Sequence, residues 1–148
     1  MDIVAIDEGG EVDTQAFNRS AHPPDPSSLE QYDALLQRLV QAFEAQNLHE
    51  IGQIATISAE LNQAILPKRW LAACRHIAER WQALGVVVAH SGTCIGILFE
   101  RGRSSVSEQK QAGAIRDLES LGLSPWLEST IGGVKLGRSN NNLWPRGA

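Results

Sequence analysis

The stretch VVVAHSGTCIGILF, residues 86–99, constrains the fold more than any other segment. Two apolar runs flank a Ser-Gly-Thr tip at 91–93 that is too short for a crossover, so they pair as an antiparallel hairpin. An earlier run, IVAI at 3–6, reads as a strand that enters the turn DEGGE. Three helical segments separate it from the hairpin, a crossover that suits parallel neighbours. A fourth helix at about 105–121 and a short strand GGVKLG at 132–137 complete the pattern. With right-handed connections this order gives an α+β fold. It is a ferredoxin-like βαββαβ sandwich, with helices on one face and extra helices in the first crossover. One domain is expected over 1–138, followed by a polar tail at 139–148 that frays.

The helical segments carry their own punctuation. SAHPPDPSS at 20–28 is a connector. Ser27 and Glu30 form a capping-box pattern, and Leu29, Tyr32, Leu35, Leu36, Leu39, Val40 and Phe43 recur as one buried helical face. The second helix starts near Asn47, buries Ile51, Ile54, Ile57, Leu61 and Ile65, and ends at Leu66–Pro67. The third runs from about Pro67 to Leu84, with Leu71, Cys74, Ile77, Ala78 and Trp81 inward and Gly85 as its left-handed stop. The fourth buries Val106, Ile115, Leu118 and Leu121.

Composition narrows the function. The chain has 148 residues, 43% hydrophobic and 20% charged, which is enough for a core of ordinary globular type. A formal net charge of −4, with thirteen scattered Lys and Arg, argues against a nucleic-acid surface. No apolar run reaches the roughly 18 residues of a membrane span. The segment MDIVAIDEGG lacks the basic start and long apolar stretch of a secretory signal, so a cytoplasmic location is expected. Cys74 and Cys94 have no metal-ligand spacing and read as reduced core residues.

Two segments carry chemistry: DEGGEVDT at 7–14 and AHSGTCIG at 89–96. Each hangs from the end of a strand. Glycines let backbone N–H groups approach an anion, and the Ser91 and Thr93 hydroxyls add donors. Asp7, Glu11 and Asp13 are acceptors suited to an amine or a hydroxyl. Together the loops suit a ligand with an ammonium and an oxyanion, such as an amino acid or its phosphate. Each also has a plain reading as a turn. Gly96, inside a strand, suggests close approach of another backbone or a ligand. No G-x-x-x-x-G-K-[ST], G-x-G-x-x-G or H-E-x-x-H occurs, and no catalytic or metal-ligating residue is assigned.

DEGGEVDTQAFNR (7–19) and VVVAHSGTCIGILF (86–99), separated by three helices, resemble the C-terminal half of GHMP-superfamily small-molecule kinases. The hydroxyl-bearing tip, with Ser91 and Thr93 where a generic member carries small residues, resembles the L-threonine kinases of cobalamin synthesis and propanediol utilisation. The resemblance spans most of 2–137 and implies a ferredoxin-like domain. It also implies phosphoryl transfer from Mg-ATP to a small hydroxyl compound, and a substrate pocket faced by Ser91, Gly92, Thr93 and Gly96. Gly9, Gly10, Glu11 and Asp13 would wall the acceptor, and His90 would orient the hairpin.

In that family the ATP-phosphate loop, of Pro-x-x-x-Gly-Leu-Gly-Ser-Ser type, lies in the N-terminal domain, and these 148 residues contain no such loop. The expectation is half of a kinase, inactive without an N-terminal domain or equivalent subunit. ATP and Mg2+ serve the complete enzyme and are not expected to bind this chain tightly alone. The acceptor is an amino acid or amino alcohol. The rival reading is a non-catalytic ferredoxin-like module that binds a small ligand or forms a homodimer. A half-enzyme should leave an apolar docking face open.

Overall fold

The computed structural model describes residues 1–10, 13, 15, 26–89, 92–102 and 104–130. In chain order the elements are β1 (Asp2–Asp7), α1 (Pro26–Glu44), α2 (Leu48–Asn62), α3 (Leu71–Arg80), β2 (Gly85–Val88), β3 (Cys94–Phe99), α4 (Ser105–Ser120) and β4 (Trp126–Ser129). The sheet order is β2-β3-β1-β4, and every neighbouring pair is antiparallel. β1 and β2 therefore run the same way, as the long crossover requires, but they are not the neighbours expected, because β3 pairs with both and lies between them. That arrangement satisfies both the tight hairpin and the long crossover, and it is the ferredoxin-like order.

The core lies on one face of the sheet. Val4, Ile6, Val86, Val88, Ile95, Ile97 and Phe99 pack with Leu71, Cys74, Ile77 and Ala78 of α3 and with Ala114 and Leu118 of α4. α3 and α4 meet where the Trp81 ring lies over Gly113. A Cβ on that glycine would sit 2.3 Å from a ring carbon. The indole N–H donates to Asp117 Oδ2 at 2.7 Å, which fixes the ring. A smaller cluster of Leu35, Ala42, Ile51 and Ile54 joins α1 to α2.

α2 covers the edge strand. The Thr56 hydroxyl accepts from the Val86 N–H at 3.0 Å and donates to the Gly52 carbonyl at 2.9 Å. An edge N–H that could template another strand is thereby paired. Gly52 allows the contact, since a Cβ there would lie 2.2 Å from the Leu84 carbonyl oxygen.

The buried carboxylate of Asp2 ties three segments together. It accepts from the Ser129 hydroxyl at 2.7 Å, Arg101 Nε at 3.1 Å and Gln111 Nε2 at 3.1 Å. The Ser129 bond above all, with Arg101 and Gln111, holds this carboxyl below the usual aspartate range, against burial, which raises it. The folded state then keeps its charge at a pH where the unfolded state takes up a proton. Stability from this group is full above about pH 4 and is lost as pH falls through the lower folded value. Asp2→Asn is expected to flatten the loss of stability below about pH 4 in urea titrations. An unchanged acid limb would remove Asp2 from the account.

Several expectations change at element ends. The first helix opens at Pro26, so Ser27 lies inside it and does not precede it as a cap. α2 has the expected start, with Asn47 Oδ1 accepting from the Glu50 N–H at 3.1 Å, but it ends at Asn62. α3 spans only Leu71–Arg80, and the left-handed residue after it is Gln82 (φ 51°), not Gly85, which opens β2. In α4 Leu118 is buried, but Val106 in its first turn is exposed, as is Leu121 just past its end. The expected face of α1 also divides. Leu35 is buried against α2, whereas Leu29, Leu36, Val40 and Phe43 are 49–59% exposed. The expected strand at 132–137 and the tail at 139–148 lie outside the described residues. β4, at Trp126–Ser129, is a strand the sequence reading did not anticipate.

Candidate functional site

The antiparallel register of β1 and β3 brings the two chemistry-bearing segments to one end of the sheet, with Asp7 opposite Cys94. Past the last pair, the Glu8 N–H donates to the Thr93 carbonyl at 3.0 Å, so the ladder continues into both loops. The Thr93 hydroxyl donates to Asp7 Oδ1, which also accepts from the Gly9 N–H at 3.0 Å. These two bonds, Thr93 first, hold the Asp7 carboxyl below its ordinary value, and it stays charged at neutral pH. Among the described residues both bonds fall on Oδ1, which leaves Oδ2 as an acceptor for an ammonium or a hydroxyl.

Gly9 and Gly10 adopt the left-handed region at φ 73° and 89°, which favours glycine. A Cβ at either would meet nothing within 4 Å, so their backbone is open to an approaching group. Gly92 lies in the tip, with the position of its missing Cβ 3.2 Å from Ala89 Cβ. Gly96 plays a different part. It pairs with Ala5 and Val87 inside β3, and the Ile3 and Val87 side chains fill the space that its Cβ would need. The close approach expected at Gly96 is thus made by the sheet's own side chains. Asp13 is exposed. Glu11, Ser91 and His90 lie outside the described residues.

Two residues at this end were not singled out from the sequence. Glu8 Oε1 accepts from the Trp70 N–H at 2.6 Å, so the approach to α3 is tied to the turn after β1. Lys68 is 4% exposed and its ammonium donates to the Gly92 carbonyl. Spacing alone gave no signal for either. Lys68 follows Leu66–Pro67 and stands beside Arg69, a pattern that reads as a solvated helix start.

Nearby Cys74 is buried. Burial, helped by the charge of Glu8, pushes its thiol up to about 12, which keeps it protonated and unreactive. Arg101 is committed to Asp2 and the Thr130 carbonyl, so it serves β1 and not the tip. A groove of about 460 Å³ lies between α2, α3 and the start of β2. Its rim charges Arg75 and Glu60 pair with each other at 2.6 Å, and it is not part of this site.

The family model "GHMP kinases C terminal" matches residues 39–119. The chain belongs to the GHMP kinases. Its fold agrees with solved members at low identity. Homoserine kinase from Cytophaga hutchinsonii superposes with a TM-score of 0.63 at 16% identity, over 88% of this chain and 41% of that one. A mevalonate kinase from Methanococcus jannaschii gives 0.62 at 18%, over 85% and 38%. In sequence the chain is 31% identical over 141 residues to an L-threonine kinase of Salmonella typhimurium, covering 92% of this chain and 46% of the relative. It is also 31% identical over 110 residues to an L-threonine kinase of Citrobacter freundii, covering 72% and 37%. This GHMP kinase chain therefore spans about half the length, or less, of the curated relatives it matches. No helix among the described residues is long and apolar enough to cross a membrane.

Proposed function

We propose that this chain is the acceptor-side, C-terminal half of an ATP-dependent kinase acting on L-threonine or a similar amino alcohol. The observation that carries the reading is the junction of the two loops through Glu8, Thr93 and Asp7, in a chain whose curated relatives are L-threonine kinases. Asp7 offers a fixed negative charge for the ammonium of an amino acid. The Thr93 hydroxyl, its proton given to Asp7, keeps lone pairs for the substrate. The open backbone of Gly9 and Gly10, with Gly92, suits the oxyanion end, and Ser91, Glu11 and Asp13 extend the same two loops. Gly96 acts by letting the sheet close beneath them.

Among the described residues no three His, Cys, Asp or Glu side chains gather as a cation site requires. Mg-ATP is assigned to the other half of the kinase, and no step is routed through it here.

The stripe of Leu29, Leu36, Val40 and Phe43 on α1 supports a partner beyond this chain, because an interface cut in two leaves such a face open. A second copy would cover the same stripe, which keeps the non-catalytic dimer as the other reading. Formation of O-phospho-L-threonine, by this chain alone and joined to an N-terminal half, separates the two. A kinase half yields product only when joined.

A further inference from the structure

Of the adjacent cations Lys68 and Arg69, only Lys68 is buried, while the Arg69 guanidinium lies over the Trp70 ring, 4.9 Å from its centroid. A lysine with 4% exposure is costly to bury unless its charge is used. Its backbone is clamped. Gln63 Oε1 accepts from the Lys68 N–H at 2.6 Å, and Gln63 Nε2 donates to the Lys68 carbonyl at 3.2 Å. Two residues on, the Trp70 carbonyl accepts from the Cys74 N–H at 2.9 Å and opens α3, whose Leu71, Cys74 and Ile77 lie in the core. Lys68 therefore projects from a mount that is fixed to the core.

The segment 68–70 reaches both chemistry-bearing loops. The Trp70 N–H donates to Glu8 in the turn after β1, and the Lys68 ammonium donates to the Gly92 carbonyl in the hairpin tip. The β2–β3 ladder closes with the Ala89 N–H on the Cys94 carbonyl at 2.9 Å, so Gly92 lies beyond its last bond. Segments of that kind open locally while the rest of a fold stays intact. Gly92 is half-buried, so water can take over its carbonyl once the ammonium is gone. What is then lost is the aim of the tip, and with it the Thr93 hydroxyl on Asp7.

We infer that Lys68 is a positioning residue for the acceptor: through the Gly92 carbonyl it holds the hairpin tip so that the Thr93 hydroxyl stays on Asp7. It acts through the tip and not on the substrate. A lysine that only filled space would yield to methionine, which has a similar unbranched stem, with no local effect. The inference rests on the kinase reading for the reaction served, while the bracing of the tip is testable without it.

The test begins with amide hydrogen exchange on the 148-residue chain, unaltered and as Lys68→Met. The expected result is exchange about tenfold faster or more at Glu8, whose N–H bonds the Thr93 carbonyl, with unchanged rates at Val4 and Ile97 in mid-sheet. Equal acceleration at all three, or none at Glu8, overturns the inference. In the unaltered protein the Lys68 ammonium, buried and bonded, should give its own NMR signal in cold, mildly acidic buffer. A folded sample without that signal overturns the inference with no variant needed. Made in the joined kinase, Lys68→Met should lower kcat/KM for L-threonine about tenfold or more and leave KM for Mg-ATP within about twofold. On a Thr93→Val background the same change should cost less than about twofold, because the group that it positions is already gone. An unaltered kcat/KM in the folded variant, or equal losses on both backgrounds, contradicts the positioning role. If the unaltered joined kinase makes no O-phospho-L-threonine, the kinase reading falls, and exchange at Glu8 still decides whether Lys68 holds the tip.

Discussion

Replacing Gly52 by alanine is expected to lower domain stability by about 2 kcal/mol or more, seen as a lower urea midpoint. Two effects of opposite sign compete. Alanine favours a helix interior over glycine by about 1 kcal/mol, which alone would stabilise α2. The new Cβ, however, would lie 2.2 Å from the Leu84 carbonyl oxygen and 2.7 Å from Leu84 Cβ. Backbone on both sides has little room to yield. The opposing position is as tight, with a Cβ on Gly85 falling 2.2 Å from the Gly52 carbonyl. Relief requires α2 to lift from β2, which would break the Thr56 bond to the Val86 N–H and expose an edge donor. The clash wins, and a stabilised Gly52→Ala protein would show that α2 does not sit on the edge as described.

The second large effect is at the tip. Gly92→Val, made in the joined kinase, is expected to cut kcat/KM for L-threonine about 100-fold or more, since displacements of about 1 Å at a reacting centre have that scale. The first carbon alone would press on Ala89 Cβ at 3.2 Å, and the two further methyls of valine must displace the tip. The Gly92 carbonyl would then lose its aim at Lys68. The core beneath, built on Val88, Ile95 and Ile97, does not use Gly92, so thermal stability should stay close to that of the unaltered protein. Parallel loss of stability and activity would make the tip a structural turn and not a site.

The hairpin was legible because two continuous apolar runs flank a tip too short for a crossover, and its place beside β1 followed from the ferredoxin-like order. The junction of Asp7 and Glu8 with Thr93 follows from the register of β1 on β3. β4 was not legible, since Trp-Leu-Glu-Ser is exposed at every position and shows no buried face to set a period. The division of α1 was hidden for a different reason. Leu29, Leu36, Val40 and Phe43 continue the helical period of Leu35, but periodicity cannot say that α2 reaches only Leu35, Leu39 and Ala42. The role of Lys68 depends on contacts across 24 residues of chain, which local spacing cannot encode. Asp2 carries no local signal, and its partners Arg101, Gln111 and Ser129 meet only once the sheet has formed.

The most direct measurement is phosphate transfer from Mg-ATP to L-threonine, detected as O-phospho-L-threonine by mass spectrometry. It is made on this chain alone and on the chain grafted in place of the matching segment of the Salmonella L-threonine kinase, with folding checked by circular dichroism. The expected result is no product from the chain alone and product from the graft. Product from the chain alone above a Gly92→Val control, or none from a folded graft, would contradict it.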